Sequence, residues 1–206
     1  MKPYEKNETT IRDEKTCSST LGRRTFMKMA TLGIAGTLLL PLPRLARSAQ
    51  GRVLIVYYSL TEKTKRVADT LQRMTGADTF RLETTVPYDE AALDRVQEDQ
   101  AAGRFPELKA LPDLSGYDLI LVGTPVWWYT LSSPVVSFLR QTDFAGKRTA
   151  VFATHMGWLR DTLPDFGKQA RNAHILDGIA LQDVENIDQP DLNARLDAWL
   201  KKLTQA

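Results

Sequence analysis

Apolar residues fall along this chain in two rhythms. Short continuous runs of β-branched and aromatic residues recur, separated by stretches in which apolar positions return every three or four residues. The first run covers residues 52–58 (Arg-Val-Leu-Ile-Val-Tyr-Tyr). A run that is apolar on both faces reads as a strand buried in a parallel sheet. Residues 64–74 follow with Val67, Ala68, Leu71 and Met74 on one helical face, stopped by Gly76. Residues 79–82 predict a short second strand, and residues 89–102 an exposed helix ending at Gly103. Residues 119–123 form the cleanest strand. A helix begins at 134–139, with Pro134 in its first turn, where the missing N–H is harmless. A fourth strand is predicted over 148–153, and a helix over 159–172 that Pro164 restarts or kinks. A fifth strand is predicted over 179–181. The last helix, 192–203, places Leu192, Leu196, Trp199, Leu200 and Leu203 on one side. Strand and helix alternate throughout, which predicts an α/β sandwich around a five-stranded parallel sheet.

A different pattern precedes the first strand. Arg23-Arg24-Thr25-Phe26-Met27-Lys28 opens onto an uncharged apolar run over 29–40. Pro41 and Pro43 break the run, and Ala46, Ser48 and Ala49 follow. A charged start, a short apolar stretch and a zone of small residues make an export signal, and the arginine pair resembles substrates of the twin-arginine (Tat) route. The run is shorter than the ~20 apolar residues of a transmembrane helix. Residues 1–49 are therefore expected to be a signal and cleavage region, and residues 50–206 the functional domain. The expected location is the periplasm, or otherwise outside the cytoplasm, with membrane contact through the signal segment during export. The Tat route carries folded proteins, often with a cofactor already inserted.

Removing that region changes the charge balance. The full chain has 27 basic and 25 acidic residues, and residues 1–49 hold nine and four of them. The remainder has 27 − 9 = 18 basic and 25 − 4 = 21 acidic residues, a net of −3. No basic field for nucleic acid remains. Cys17 lies in the leader, so the domain has no thiol, and His155 and His174 are the two histidines. Thiol catalysis and a Cys or His metal site are excluded on those counts. The absence of a Gly-x-Ser-x-Gly elbow argues against a hydrolase.

Ligands of open α/β sheets sit outside the carboxyl ends of the strands. Three loops occupy such ends here. Ser59-Leu60-Thr61-Glu62-Lys63-Thr64 joins the first strand to the first helix. Its hydroxyls and the free N–H groups of a helix start suit an anion such as phosphate, although Thr61 could equally cap the helix. Thr124-Pro125-Val126-Trp127-Trp128-Tyr129-Thr130 carries three adjacent aromatics, a wall on which a planar ring can stack, with one Trp expected to bury. Thr154-His155-Met156-Gly157-Trp158 adds a histidine, a glycine and another aromatic.

Taken together, these segments resemble the flavodoxin-like family. The strand followed by Ser-x-Thr-x-x-Thr is similar to its phosphate loop. Residues 117–128 are similar to the third strand and flavin-flanking loop of a subgroup with a Trp-Trp pair. Pro87-Tyr88, Pro106-Glu107-Leu108, Phe144-Ala145-Gly146-Lys147 and Thr154-His155-x-Gly157 extend the likeness over residues 52–203. The resemblance implies a three-layer flavodoxin-like sandwich that binds FMN and serves as an oxidoreductase or electron carrier. Its phosphate would lie on Ser59, Thr61, Lys63 and Thr64. Its ring would lie among Pro125, Val126, Trp127, Trp128, Tyr129, Thr154, His155 and Gly157. His155 is the candidate for a hydrogen bond to the reduced ring. The partner would be a redox protein or a quinone-like small molecule.

The chain departs from the family pattern in two places. Glu62-Lys63 stands where a glycine and a small polar residue are usual. A carboxylate beside the phosphate would repel it unless Lys63 or Lys65 offsets the charge, which leaves a flavin-free binding module as the alternative. Tyr129 stands where glycine often lets a peptide rotate beside the flavin, so two-electron transfer is expected over a stabilised one-electron state.

Overall fold

The computed structural model describes residues 51–205. The arginine pair and the apolar run that follows it lie outside them. Five parallel positions make the sheet, in the order β2 (Asp78–Arg81), β1 (Val53–Tyr57), β3 (Leu119–Trp127), β5 (Arg148–His155) and a split fifth strand. The elements on the first half are β1 (Val53–Tyr57), α1 (Lys63–Thr75), β2 (Asp78–Arg81) and α2 (Glu90–Ala101). The second half holds β3 (Leu119–Trp127), β4 (Thr130–Leu131), α3 (Ser133–Gln141), β5 (Arg148–His155), α4 (Thr162–Gln169), β6 (His174–Ile175), β7 (Ile179–Gln182) and α5 (Gln189–Gln205). β6 and β7 pair in parallel with successive stretches of β5 and together form the far edge. The five-stranded parallel sandwich is thus as expected, with two refinements. The fifth strand is interrupted, and β4 adds a short antiparallel partner to the end of β3.

Side chains alternate across the strands and feed two cores. Leu54, Val56, Ile120, Val122 and Val151 face α3 and α4, where Val135, Phe138, Leu139 and Phe166 are buried. Ile55, Tyr57, Leu121, Ala150 and Phe152 face α1 and α5, where Val67, Leu71, Leu192, Leu196 and Trp199 are buried. Each large apolar side chain buried this way contributes about 1.5–3 kcal/mol. Gly123 sits in the middle of β3 because a Cβ there would meet the Phe152 ring at 2.3 Å. Met74, at the end of α1, is half-exposed rather than part of the face shared by Val67, Ala68 and Leu71. Pro164 falls in the first turn of α4, so the helix begins at Thr162 rather than 159. Among the described residues no helix is long and apolar enough to cross a membrane.

The order of the sheet positions the site. β1 and β3 are neighbours, yet α1 leads outward from β1 to β2 and α3 leads outward from β3 to β5. The two helices diverge at this point, which makes the carboxyl ends of β1 and β3 the topological switch point where ligands of such sheets sit.

Candidate functional site

Backbone strain marks the same end of the sheet. Among the described residues, five of the seven non-glycine residues with positive φ follow the carboxyl ends of strands: Glu62, Trp128, Tyr129, Arg160 and Asp183. Each side chain with a Cβ resists that conformation, and such residues concentrate where a ligand is held.

In the first loop, Ser59 is buried and its Oγ accepts from the Lys65 N–H at 3.2 Å. Thr61 is exposed, and the helix cap is Glu62 at φ 61°, not Thr61. The Glu62 side chain does not cap the helix. Its carboxylate instead accepts from Arg81 Nη2 at 2.6 Å, and the same nitrogen donates to the Ser59 carbonyl at 2.8 Å. Among the described residues, the backbone N–H groups of Glu62, Lys63 and Thr64 meet no acceptor. They are three of the donors that a helix start leaves open. The donor set therefore fits a phosphate: open amides, the Thr61 and Thr64 hydroxyls, and the positive end of α1.

Lys63 is turned elsewhere. Its Nζ pairs with Glu185, beyond β7, and Lys65 pairs with Asp69 at 2.6 Å. The expected offset of Glu62 by Lys63 or Lys65 is corrected: the counter-charge is Arg81. Sequence reading missed Arg81 because it belongs to the neighbouring strand, where Tyr57 and Arg81 are in register.

The second loop is shorter than expected. Residues 124–127 continue β3, and Trp128-Tyr129 make a two-residue turn into β4. Pro125 and Val126 are half-buried on that extension, opposite Thr154 and Leu131. The Thr124 hydroxyl holds the hairpin base by accepting from the Ser132 N–H at 3.1 Å. Trp127 packs edge-on against Tyr88 and Tyr58, with ring centroids 4.9 and 5.5 Å away. It is partly buried, short of the burial expected of one Trp, and its neighbours are tyrosines and not a helix. Burial, with the adjacent Tyr88, pushes the Tyr58 phenol up to about 12, so it stays neutral. Trp128 and Tyr129 remain 49% and 41% exposed, free to present a flat surface. Tyr129 adopts φ 70°, a left-handed conformation that a side chain with a Cβ resists.

The third loop is tied to both others. The Thr154 and Thr64 hydroxyls share a buried 2.8 Å hydrogen bond that joins it to the first loop. Arg160 lies over the Tyr129 ring at 5.3 Å, and the Thr162 hydroxyl is 3.3 Å from the Tyr129 carbonyl. His155 Nδ1 accepts from the Gly157 N–H at 3.2 Å, and burial lowers its pKa. Gly157 has φ 149°, a conformation that favours glycine. Met156 and Trp158 project into solvent. The structure thus gathers the predicted residues at one end of the sheet, with Lys63 directed away.

A cleft of about 440 Å³ lies at the opposite end, lined by Arg52, Asp78, Asp118, Arg148 and Lys201 among others. It lies away from the carboxyl ends of the strands, where ligands of such sheets bind.

A protein-family model described as Flavodoxin matches residues 52–202. An NAD(P)H dehydrogenase (quinone) of Gluconacetobacter diazotrophicus is 35% identical over 96 residues, 44% of this chain and 46% of that protein. The match thus spans about half of that relative's length. A flavoprotein from Lactobacillus acidophilus, solved in complex with FMN, superposes with TM-score 0.60 at 23% identity, over 73% of this chain and 99% of that one. A crystal structure from Bacteroides uniformis gives TM-score 0.64 at 23% identity, over 74% and 99%. These two likenesses establish the fold.

Proposed function

This chain belongs to the flavodoxin family, and on that premise we propose that it is an exported FMN protein that transfers electrons to or from a quinone-like molecule or a redox protein. The observation that carries the reading is the first loop. Open amides, two threonine hydroxyls and a helix N-terminus converge there, while the loop's carboxylate is bound by Arg81. That ion pair offsets the carboxylate and so supports flavin binding over a flavin-free binding module.

FMN, when bound, supplies the redox chemistry. The residues of the chain bind and orient it. The amides of Glu62, Lys63 and Thr64, with the Thr61 and Thr64 hydroxyls, would hold the phosphate. Trp128 and Tyr129 would flank the ring, and the Trp127–Tyr58–Tyr88 cluster gives the hairpin a rigid base. A His155 ring that accepts at Nδ1 carries its proton on Nε2, and it can donate from there. The quinone partner is supported by the name of the relative above, and the exported location by the arginine pair and apolar run of residues 23–40. Outside the cytoplasm NAD(P)H is scarce, so a protein or quinol is the electron source that fits such a location.

An absorbance spectrum of the protein purified from the exported compartment tests the reading. Visible flavin bands are expected, at about one FMN per chain. Thr61→Ala and Thr64→Ala should each weaken FMN by roughly ten- to a hundredfold, the size of a hydrogen bond to a charged group. A colourless protein that takes up no FMN on titration refutes it.

A further inference from the structure

Glu62 stands at the tightest point of the first loop. Its φ of 61° is one that glycine takes freely and a residue with a Cβ resists. The conformation needs support from outside the residue, and the neighbouring strand supplies it. Arg81, the last residue of β2, reaches the Ser59 carbonyl and the Glu62 carboxylate with one nitrogen. One guanidinium therefore ties the first residue of the turn to its last. The lysines of the same segment do not compete for this place, because Lys63 pairs with Glu185 and Lys65 with Asp69.

We infer that Arg81 is the positioning residue of the phosphate loop: it holds the left-handed turn at Glu62 and keeps that carboxylate off the amides of Lys63 and Thr64. The inference rests on the flavin reading for the ligand and on the geometry for the clamp. A carboxylate released at this point would lie beside the amides at the start of α1, which attract anions, and would compete with the phosphate for them. Arg81 and Glu62 together do what a glycine would do alone. The pair also makes the loop selective. Losing it should disfavour the phosphate of FMN and leave the ring contacts of the second and third loops untouched.

Four forms of the flavin-stripped protein test this: unmodified, Arg81→Gln, Glu62→Gly and the double variant. Each is titrated with FMN and with riboflavin, which has the same ring and no phosphate. Amide hydrogen exchange over residues 60–65 is measured without ligand. Arg81→Gln should weaken FMN by roughly tenfold or more, the equivalent of the left-handed strain at a non-glycine residue. Riboflavin affinity should stay within about twofold, and the loop amides should exchange faster. In the Glu62→Gly background the same Arg81 change should alter FMN affinity by no more than about twofold. Arg81→Lys, with charge but no fork, should fall between. Equal losses in both backgrounds would mean that Arg81 contacts the phosphate directly, and would overturn the inference. So would an Arg81→Gln protein with unchanged FMN binding and unchanged exchange. If the unmodified protein binds neither flavin, the flavin reading fails, while the exchange data still decide whether Arg81 holds the loop.

Discussion

His155 ends β5 with its ring partly buried and Nδ1 facing the Gly157 N–H. Burial lowers its pKa below the ordinary 6.5, and the Asp183 carboxylate opposes that shift. The folded protein therefore resists protonating this ring more than the unfolded chain does. Between the lowered value and 6.5 the unfolded chain binds more protons, so stability rises with pH through that window. The contribution is fully present above the unfolded value and is lost as pH falls through the folded one. Urea unfolding of the flavin-free protein should accordingly show a midpoint that drops from about pH 7 to about pH 5, and His155→Gln should flatten the drop. A variant with the same pH slope as the unmodified protein would assign the effect to other groups. Protonation also removes the Nδ1 acceptor that meets the Gly157 N–H, while Nε2 donates in both forms.

The β3–β4 hairpin illustrates strain at the scale of an element. Its two turn residues, Trp128 and Tyr129, both have positive φ, at 48° and 70°. Two-residue hairpins of this kind favour Asn-Gly, because those residues accept the conformation with little penalty. Replacing Trp128-Tyr129 by Asn-Gly should stabilise the flavin-free protein by about 1 kcal/mol in thermal unfolding, since strain relief exceeds the lost Tyr129–Arg160 contact. It should also weaken flavin binding, because the flat wall is gone. Loss of stability in that variant would show that the aromatics support the fold rather than the site.

The strands β1, β3 and β5 were legible because continuous β-branched runs leave few other readings, and α1 and α5 because their buried positions keep helical spacing. The end of β3 was not, since Thr124 and Pro125 interrupt the apolar run. Nor was the split fifth strand, whose pieces are two and four residues long. Within the site, Ser59, Thr64 and the aromatics announced themselves by residue type and place. Arg81 did not, because its role comes from the register of β2 beside β1, and no local pattern encodes a contact 19 residues away along the chain.

At the scale of the whole molecule, the site is assembled from distant parts of the chain. The first loop follows β1, and the other two follow β3 and β5, whose pairing sets Val53 beside Leu119 and Leu119 beside Arg148. The Thr64–Thr154 hydrogen bond bridges 90 residues of sequence. These contacts form when the sheet closes, so the loops converge on a ligand in the folded domain and not in an extended chain. A protein that takes up FMN before leaving the cytoplasm must then cross the membrane folded. That requirement agrees with the arginine pair Arg23-Arg24, which lies outside the described residues. Replacing both arginines by lysine keeps the charge and removes the feature read by the Tat route. The variant should accumulate in the cytoplasm with flavin bound, as measured by cell fractionation with flavin fluorescence on each fraction. Undiminished export of the double-lysine form would refute the Tat assignment, and export of a flavin-free chain would break the link between folding, loading and route.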